Sequence, residues 1–197
     1  MKHTYHLKKG TSKDVIITLH GTGGDEYDLD NVAEIIRPDA TVIGVRGNVN
    51  ENGLQRWFQR YSPGEFDEED TKQRVYEFAS WLPTLSEKHG FELEKAVFLG
   101  FSNGANMLAA TMQLRPASVQ KAVLLHGQVP LPDEEFSEQS GEVFLATGKQ
   151  DRIIPSIETY ALRDKLEDAG IQTETFTHHR GHTVTRETLR RANEFLY

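Results

Sequence analysis

Ala96-Val97-Phe98-Leu99-Gly100-Phe101-Ser102-Asn103-Gly104-Ala105-Asn106-Met107-Leu108-Ala109-Ala110 is the stretch on which the reading of this chain turns. Its first four residues have the apolar character of a buried strand, and its last six form an apolar, helix-favouring segment. Between them, Gly100-Phe101-Ser102-Asn103-Gly104 matches the G-x-S-x-G pattern. A serine on a sharp strand-to-helix turn is exposed for attack, and glycines flank it because side chains there would meet neighbouring backbone. The N-terminus of the following helix favours negative charge near the serine oxygen. Ser102 is therefore the candidate nucleophile, and the competing reading is an ordinary serine in a surface turn.

Outward from this elbow, short apolar and β-branched runs recur at residues 15–19, 41–45, 96–100, 121–125, 143–147 and, more weakly, 173–177. Near-continuous apolar runs fit strands buried on both faces of a parallel sheet. Helical spacing falls between most of them. Leu29, Val32, Ala33 and Ile36 make one stripe; Val75, Phe78, Ala79, Leu82 and Leu85 make a longer one, which Pro83 is expected to kink or end. Ile157, Ala161, Leu162, Leu166 and Ala169 form a third stripe, closed by Gly170. Leu189, Ala192 and Leu196 suggest a last helix. Strands alternating with helices predict an α/β fold, a mostly parallel central sheet flanked by helices. Its ligand chemistry is expected at the carboxyl ends of the strands.

A serine hydroxyl needs a base. His182, in Arg180-Gly181-His182-Thr183-Val184, follows the last candidate strand and precedes the last helix. The order Ser, Asp, His along the chain favours it. His178 and His179 are its rivals. The three together also carry a zinc reading, but no H-E-x-x-H motif accompanies them, and no metal site is expected. Asp151 lies in Gly148-Lys149-Gln150-Asp151-Arg152-Ile153-Ile154-Pro155, a loop at a strand's carboxyl end. It is the candidate acid that orients the histidine, with a helix cap as its competing role. The acidic clusters Asp67-Glu68-Glu69-Asp70 and Asp133-Glu134-Glu135 read as solvated loops.

Leu19-His20-Gly21-Thr22-Gly23-Gly24 ends the first apolar run with a glycine-rich turn. The backbone N–H groups of Thr22 and Asn103 are the candidate oxyanion donors, with His20 bracing the turn. A phosphate cradle is disfavoured because no G-K-[ST] follows. Residues 47–70 form the one long insert, leaving room for a minimal lid at most. Its Trp57, Phe58, Tyr61 and Phe66 either wall an acyl or aryl pocket or cap the core, and Trp57 and Phe58 are the pocket candidates.

The bulk numbers bound the rest. A chain of 197 residues suits one domain over residues 1–197, and 37% hydrophobic with 26% charged residues is globular composition. A net charge of −8 repels phosphate backbones and anionic lipids, which disfavours nucleic acid and membrane surfaces as partners. The absence of cysteine removes disulfides, thiolate nucleophiles and cysteine-based zinc sites together. Met1-Lys2-His3-Thr4-Tyr5-His6 lacks the apolar core of a signal peptide, and no apolar run approaches the roughly 18–20 residues of a membrane span. The expected setting is cytoplasmic.

His20-Gly21-x-Gly23, Gly100-x-Ser102-x-Gly104, Gly148-x-x-Asp151-x-x-x-Pro155 and Gly181-His182-Thr183-Val184 together resemble the signatures of the phospholipase/carboxylesterase family. That family of small α/β-hydrolases includes bacterial carboxylesterases and acyl-protein thioesterases. The similarity runs from about Val15 to the C-terminus. Arg46-Gly47-Asn48, Asn52-Gly53 and Phe66-Asp67-Glu68-Glu69-Asp70 resemble one bacterial hydrolase branch, some members of which are linked to quinone or hydroquinone stress. The resemblance implies the α/β-hydrolase fold, hydrolysis of small or medium carboxylic esters, and no cofactor. Two departures bear on specificity: Asn103 stands where the thioesterases usually carry Gln, and Trp57-Phe58-Gln59 where they commonly show Trp-Phe-Asp. The expected partner is a small-molecule ester, with a homodimer left open. Thioesterase, lysophospholipase or carbon–carbon bond chemistry on the same residues, and a non-catalytic binding role, stay open as alternatives.

Overall fold

The computed structural model describes residues 3–62 and 64–197, so Met1 and Lys2 of the segment read for a signal peptide, and Pro63 of the long insert, lie outside it. The elements follow in the order β1 (Tyr5–Lys8), β2 (Val15–Leu19), α1 (Asp30–Ile36), β3 (Thr41–Val45), then β4 (Val49–Glu51), β5 (Leu54–Arg56), β6 (Arg60–Ser62) and β7 (Glu65–Phe66). The second half holds α2 (Glu68–His89), β8 (Val97–Phe101), α3 (Asn103–Leu114), β9 (Lys121–Leu125), β10 (Glu142–Gly148), α4 (Ser156–Asp168), β11 (Gln172–His178) and α5 (Arg186–Leu196). Among the described residues seven strands form one sheet in the order β1-β3-β2-β8-β9-β10-β11. All neighbours pair in parallel except β1, which runs antiparallel to β3 at the edge.

Every residue of β2 is buried, as a strand covered on both faces must be. Alternation divides the core accordingly. Val15, Ile17 and Leu19 face the layer built by α2, α3 and α4, while Ile16 joins Ala33 of α1 and Leu189 of α5 on the opposite face. Helix α3 is buried around nearly its whole girth, sandwiched between the sheet and α2. No described helix is long and apolar enough to cross a membrane.

Four expectations need correction. Helix α2 does not stop at Pro83 but continues to His89. The proline lies on its exposed face, and burial of Phe78, Leu82 and Leu85, at about 1.5–3 kcal/mol each, exceeds the cost of about 3 kcal/mol for an internal proline. The Asp67–Asp70 cluster is not a solvated loop. Asp67 caps α2, its Oδ1 accepting from the Asp70 N–H at 3.0 Å, and the next three acids occupy the first turn, where the helix dipole favours them. In α4, Ile157 is 66% exposed because the buried stripe has the phase Thr159, Leu162, Leu166. The long insert is two hairpins, β4–β5 and β6–β7, and Trp57 and Phe58 leave it for the core, at 1% and 0% exposure.

Candidate active site

The carboxyl ends of the parallel strands converge on one region, and the singled-out residues sit there because each lies in the turn or loop that leaves a strand. Ser102 follows β8 with φ 52° and ψ −113°, outside the regions an L-residue prefers. Its strained turn is locked from both sides. A Cβ on Gly104 would stand 2.0 Å from the Leu19 carbonyl oxygen, and one on Gly100 2.7 Å from the Ala105 backbone. The Ser102 N–H donates to the Leu125 carbonyl at 2.8 Å, and the Ser102 carbonyl accepts from Asn106, the first bond of α3. Surrounding structure therefore over-determines the strain, as at sites where strain persists.

Asp151 lies just past β10, its carboxylate fully enclosed. Oδ1 accepts from the N–H groups of Ile153 and Ile154 at 2.8 and 3.0 Å, which fixes the carboxylate plane. Oδ2 faces His182 Nδ1 at 2.7 Å. Burial pushes the Asp151 carboxyl up, but the hydrogen bonds from His182, Ile154, Ile153 and His126 outweigh it and hold the group below the usual carboxylate range. The ring of Phe101, the residue before Ser102, stands 5.0 Å from that of His182, so the elbow and the histidine loop share one face. Neither rival hydrogen-bonds to Asp151 among the described residues, although the His178 ring stands 5.3 Å from that of His126. His178 is buried at the end of β11, where its Nδ1 accepts from the Arg180 N–H, and burial lowers its basicity; His179 is exposed.

The glycine turn after β2 is braced as expected. The Gly47 N–H donates to His20 Nε2 at 3.0 Å, so His20 Nδ1 carries the proton and donates to the Gly21 carbonyl at 2.6 Å. Burial favours this neutral form. Arg56, 2% exposed, donates from Nη1 to the Thr22 hydroxyl at 2.8 Å. Asn103 is the first residue of α3, where backbone N–H groups have no partner within the helix. Its Oδ1 accepts from the Trp57 N–H at 2.8 Å, and Trp57 Nε1 donates to the His20 carbonyl at 3.0 Å. Trp57 and Phe58 were expected as pocket walls. Instead they belong to the core, and Trp57 ties the glycine turn to the helix start.

An open cleft of about 430 Å³ runs along the site, lined by Thr22, Leu29, Phe101, His182 and Val184 among others. A larger concavity between β1 and α2, of about 630 Å³ around Tyr5 and Trp81, belongs to none of this chemistry.

Sequence reasoning missed His126. It follows β9 directly, with φ 56°, and its Nδ1 lies 2.6 Å from Asp151 Oδ2. The signal was there in Leu125-His126-Gly127, a histidine between a buried run and a glycine at a carboxyl end. His126, Asp151 and His182 are also the one described group with donors a metal ion could use. The 2.6 and 2.7 Å separations are hydrogen-bond lengths, however. Ligands about 2.1 Å from a tetrahedral ion stand roughly 3.4 Å apart, so this geometry fits protons and not zinc.

A model of the family described as Phospholipase/Carboxylesterase matches residues 6–197. MhqD of Bacillus subtilis (strain 168), which carries a hydrolase name, is 37% identical over 196 residues, covering 99% of this chain and 97% of that protein. The crystal structure of the Bacillus cereus carboxylesterase superposes with a TM-score of 0.95 at 36% identity, over 98% of this chain and 93% of its own. The carboxylesterase of Mesorhizobium loti does so at 0.93 and 28% identity, over 98% and 94%.

Proposed function

Since this chain belongs to the phospholipase/carboxylesterase family of α/β-hydrolases, as a carboxylesterase-type hydrolase, we propose that it cleaves small carboxylic esters through an acyl-enzyme on Ser102. The observation that carries this reading is the 2.7 Å contact of His182 Nδ1 with the enclosed Asp151 carboxylate, beside the strained Ser102 elbow. With Nδ1–H held by Asp151, Nε2 is the free basic nitrogen. It takes the Ser102 proton as Oγ attacks the ester carbonyl, then gives that proton to the leaving alcohol as the carbon–oxygen bond breaks. Water repeats the sequence on the acyl-enzyme and releases the carboxylic acid. The amides of Thr22 and Asn103 receive the oxyanion of both tetrahedral intermediates. The open 430 Å³ cleft, with Leu29, Phe101 and Val184 against Thr22 and His182, suits a short acyl or aryl group. The whole chain acts as one catalytic domain, with no cofactor.

A fluorophosphonate probe with peptide mapping tests this reading. It should label Ser102 and no other serine, and Ser102→Ala should lose both labelling and hydrolysis of a p-nitrophenyl ester. Labelling elsewhere, or full activity in Ser102→Ala, refutes it. Acyl-CoA and lysophospholipid substrates in the same panel separate ester from thioester and lipid cleavage.

A further inference from the structure

Asp151 faces two histidines. His126 Nδ1 and His182 Nδ1 stand 2.6 and 2.7 Å from the same oxygen, Oδ2. The other nitrogen of His126, Nε2, lies 2.9 Å from the carbonyl oxygen of Thr183, the residue after the base. The ring is 1% exposed, and its backbone holds a φ of 56°, a left-handed value uncommon outside glycine. Both atoms facing the ring can only accept hydrogen bonds. A neutral imidazole has one N–H, so one of the two contacts would set a lone pair against an oxygen. An imidazolium satisfies both. Burial works against that charge, and the contacts to Asp151 and Thr183 only partly offset it, so the histidine stays less basic than usual.

We propose that His126 is a positioning residue: it draws charge from the carboxylate that His182 relies on, ties the His182 loop to the same oxygen, and sets the pH at which activity appears. This rests on the triad reading above. The titratable groups facing His126 are Asp151 after β10, His182 before α5 and His178 at the end of β11, with the uncharged Phe101 ring at the end of β8. The sign is the same whether His126 is charged or neutral with its proton on Nδ1. An N–H on Oδ2 weakens the hold of the carboxylate on the protonated form of His182. Removing that N–H strengthens the protonated form, so the base is freed only at higher pH.

The experiment is kcat/KM against pH with an aryl ester for wild type, His126→Phe and His126→Asn. Phe keeps a ring and removes both donors, and its acid limb should move up by about one pH unit. Asn accepts the left-handed backbone and can place an amide N–H near the position of Nδ1, so its limb should return toward wild type. A lowered plateau with an unmoved limb in both variants, the signature of a purely structural role, overturns the proposal. Low-field proton NMR supplies a second measurement that needs only the Asn variant to fold. Wild type should show two carboxylate-bound imidazole protons, and His126→Asn should lose one of them; a single such proton in wild type overturns the pairing. Fluorophosphonate labelling keeps the two failures apart. An unlabelled Ser102 strikes the triad, whereas a labelled Ser102 with an unmoved limb strikes only His126.

Discussion

His3 makes stability depend on acid in a way that can be worked out from its surroundings. The ring is 8% exposed and packs among Trp57, Phe78 and Trp81, with centroids 6.3, 5.7 and 4.9 Å away. Its Nδ1 meets the Asn48 side-chain amide at 3.1 Å, and its buried Nε2 has no hydrogen-bond partner among the described residues. Burial pulls its pKa from 6.5 down to about 4. The native state therefore binds the proton more weakly than the unfolded chain. The stabilisation is fully present above pH 6.5 and is lost as the pH falls through 4. A shift of about 2.5 units at 1.36 kcal/mol each corresponds to about 3 kcal/mol in total, of which roughly 2.5 kcal/mol is lost between pH 7 and 4.5. Urea unfolding followed by tryptophan fluorescence at those two pH values measures the loss. His3→Leu fills a similar volume and cannot titrate, so its stability should fall by roughly 2.5 kcal/mol less than that of wild type over the same interval. His20, His126 and His178 are lowered by burial too, but they contribute equally to both proteins and cancel in the comparison. A double difference below about 1 kcal/mol would refute the reasoning.

Asp151→Asn should cost kcat about 10⁴-fold, the loss that follows when the orienting acid of a serine triad can no longer hold the correct histidine tautomer; stopped assays should detect the residue, and a loss under about tenfold removes Asp151 from the mechanism. Gly104→Ala should abolish both fluorophosphonate labelling and soluble expression, because its Cβ meets the Leu19 carbonyl at 2.0 Å and backbone cannot step aside as a side chain can; normal yield with normal labelling would contradict this. Asp67→Ala should lower unfolding stability by about 1 kcal/mol, the worth of a helix cap, while kcat stays at the wild-type value.

Much of this fold could be read before any coordinates, because strands buried on both faces announce themselves as unbroken apolar runs. Ser102, Asp151 and His182 were singled out by position after such runs, and the structure has each of them at a strand's carboxyl end. What stayed hidden depends on tertiary contact. Strand β1, Tyr-His-Leu-Lys, has no apolar run and exists because it pairs with β3 at the sheet edge. Hairpin β4–β5 is the exception, since its two-residue turn Asn52-Gly53, with φ 53° and 91°, is one that local preference favours. Trp57 and Phe58 are aromatic in either role, and only the bonds to His20 and Asn103 tell a strut from a pocket wall. His126 escaped because its contact with Asp151 joins the ends of two different strands and leaves no pattern along the chain.

The strut through Trp57 also bears on how such enzymes can be re-engineered. A surface insert of two short hairpins looks like an interchangeable module, to be swapped between relatives in search of new substrates. Here its backbone holds Asn103 through Trp57 N–H and holds His20, the brace of the glycine turn that carries Thr22, through Gly47 N–H, so it grips the helix start and that turn together. Transplanting it would move the catalytic rate together with the selectivity. A graft that keeps the rate has to carry His20, residues 47–58 and Asn103 as one unit.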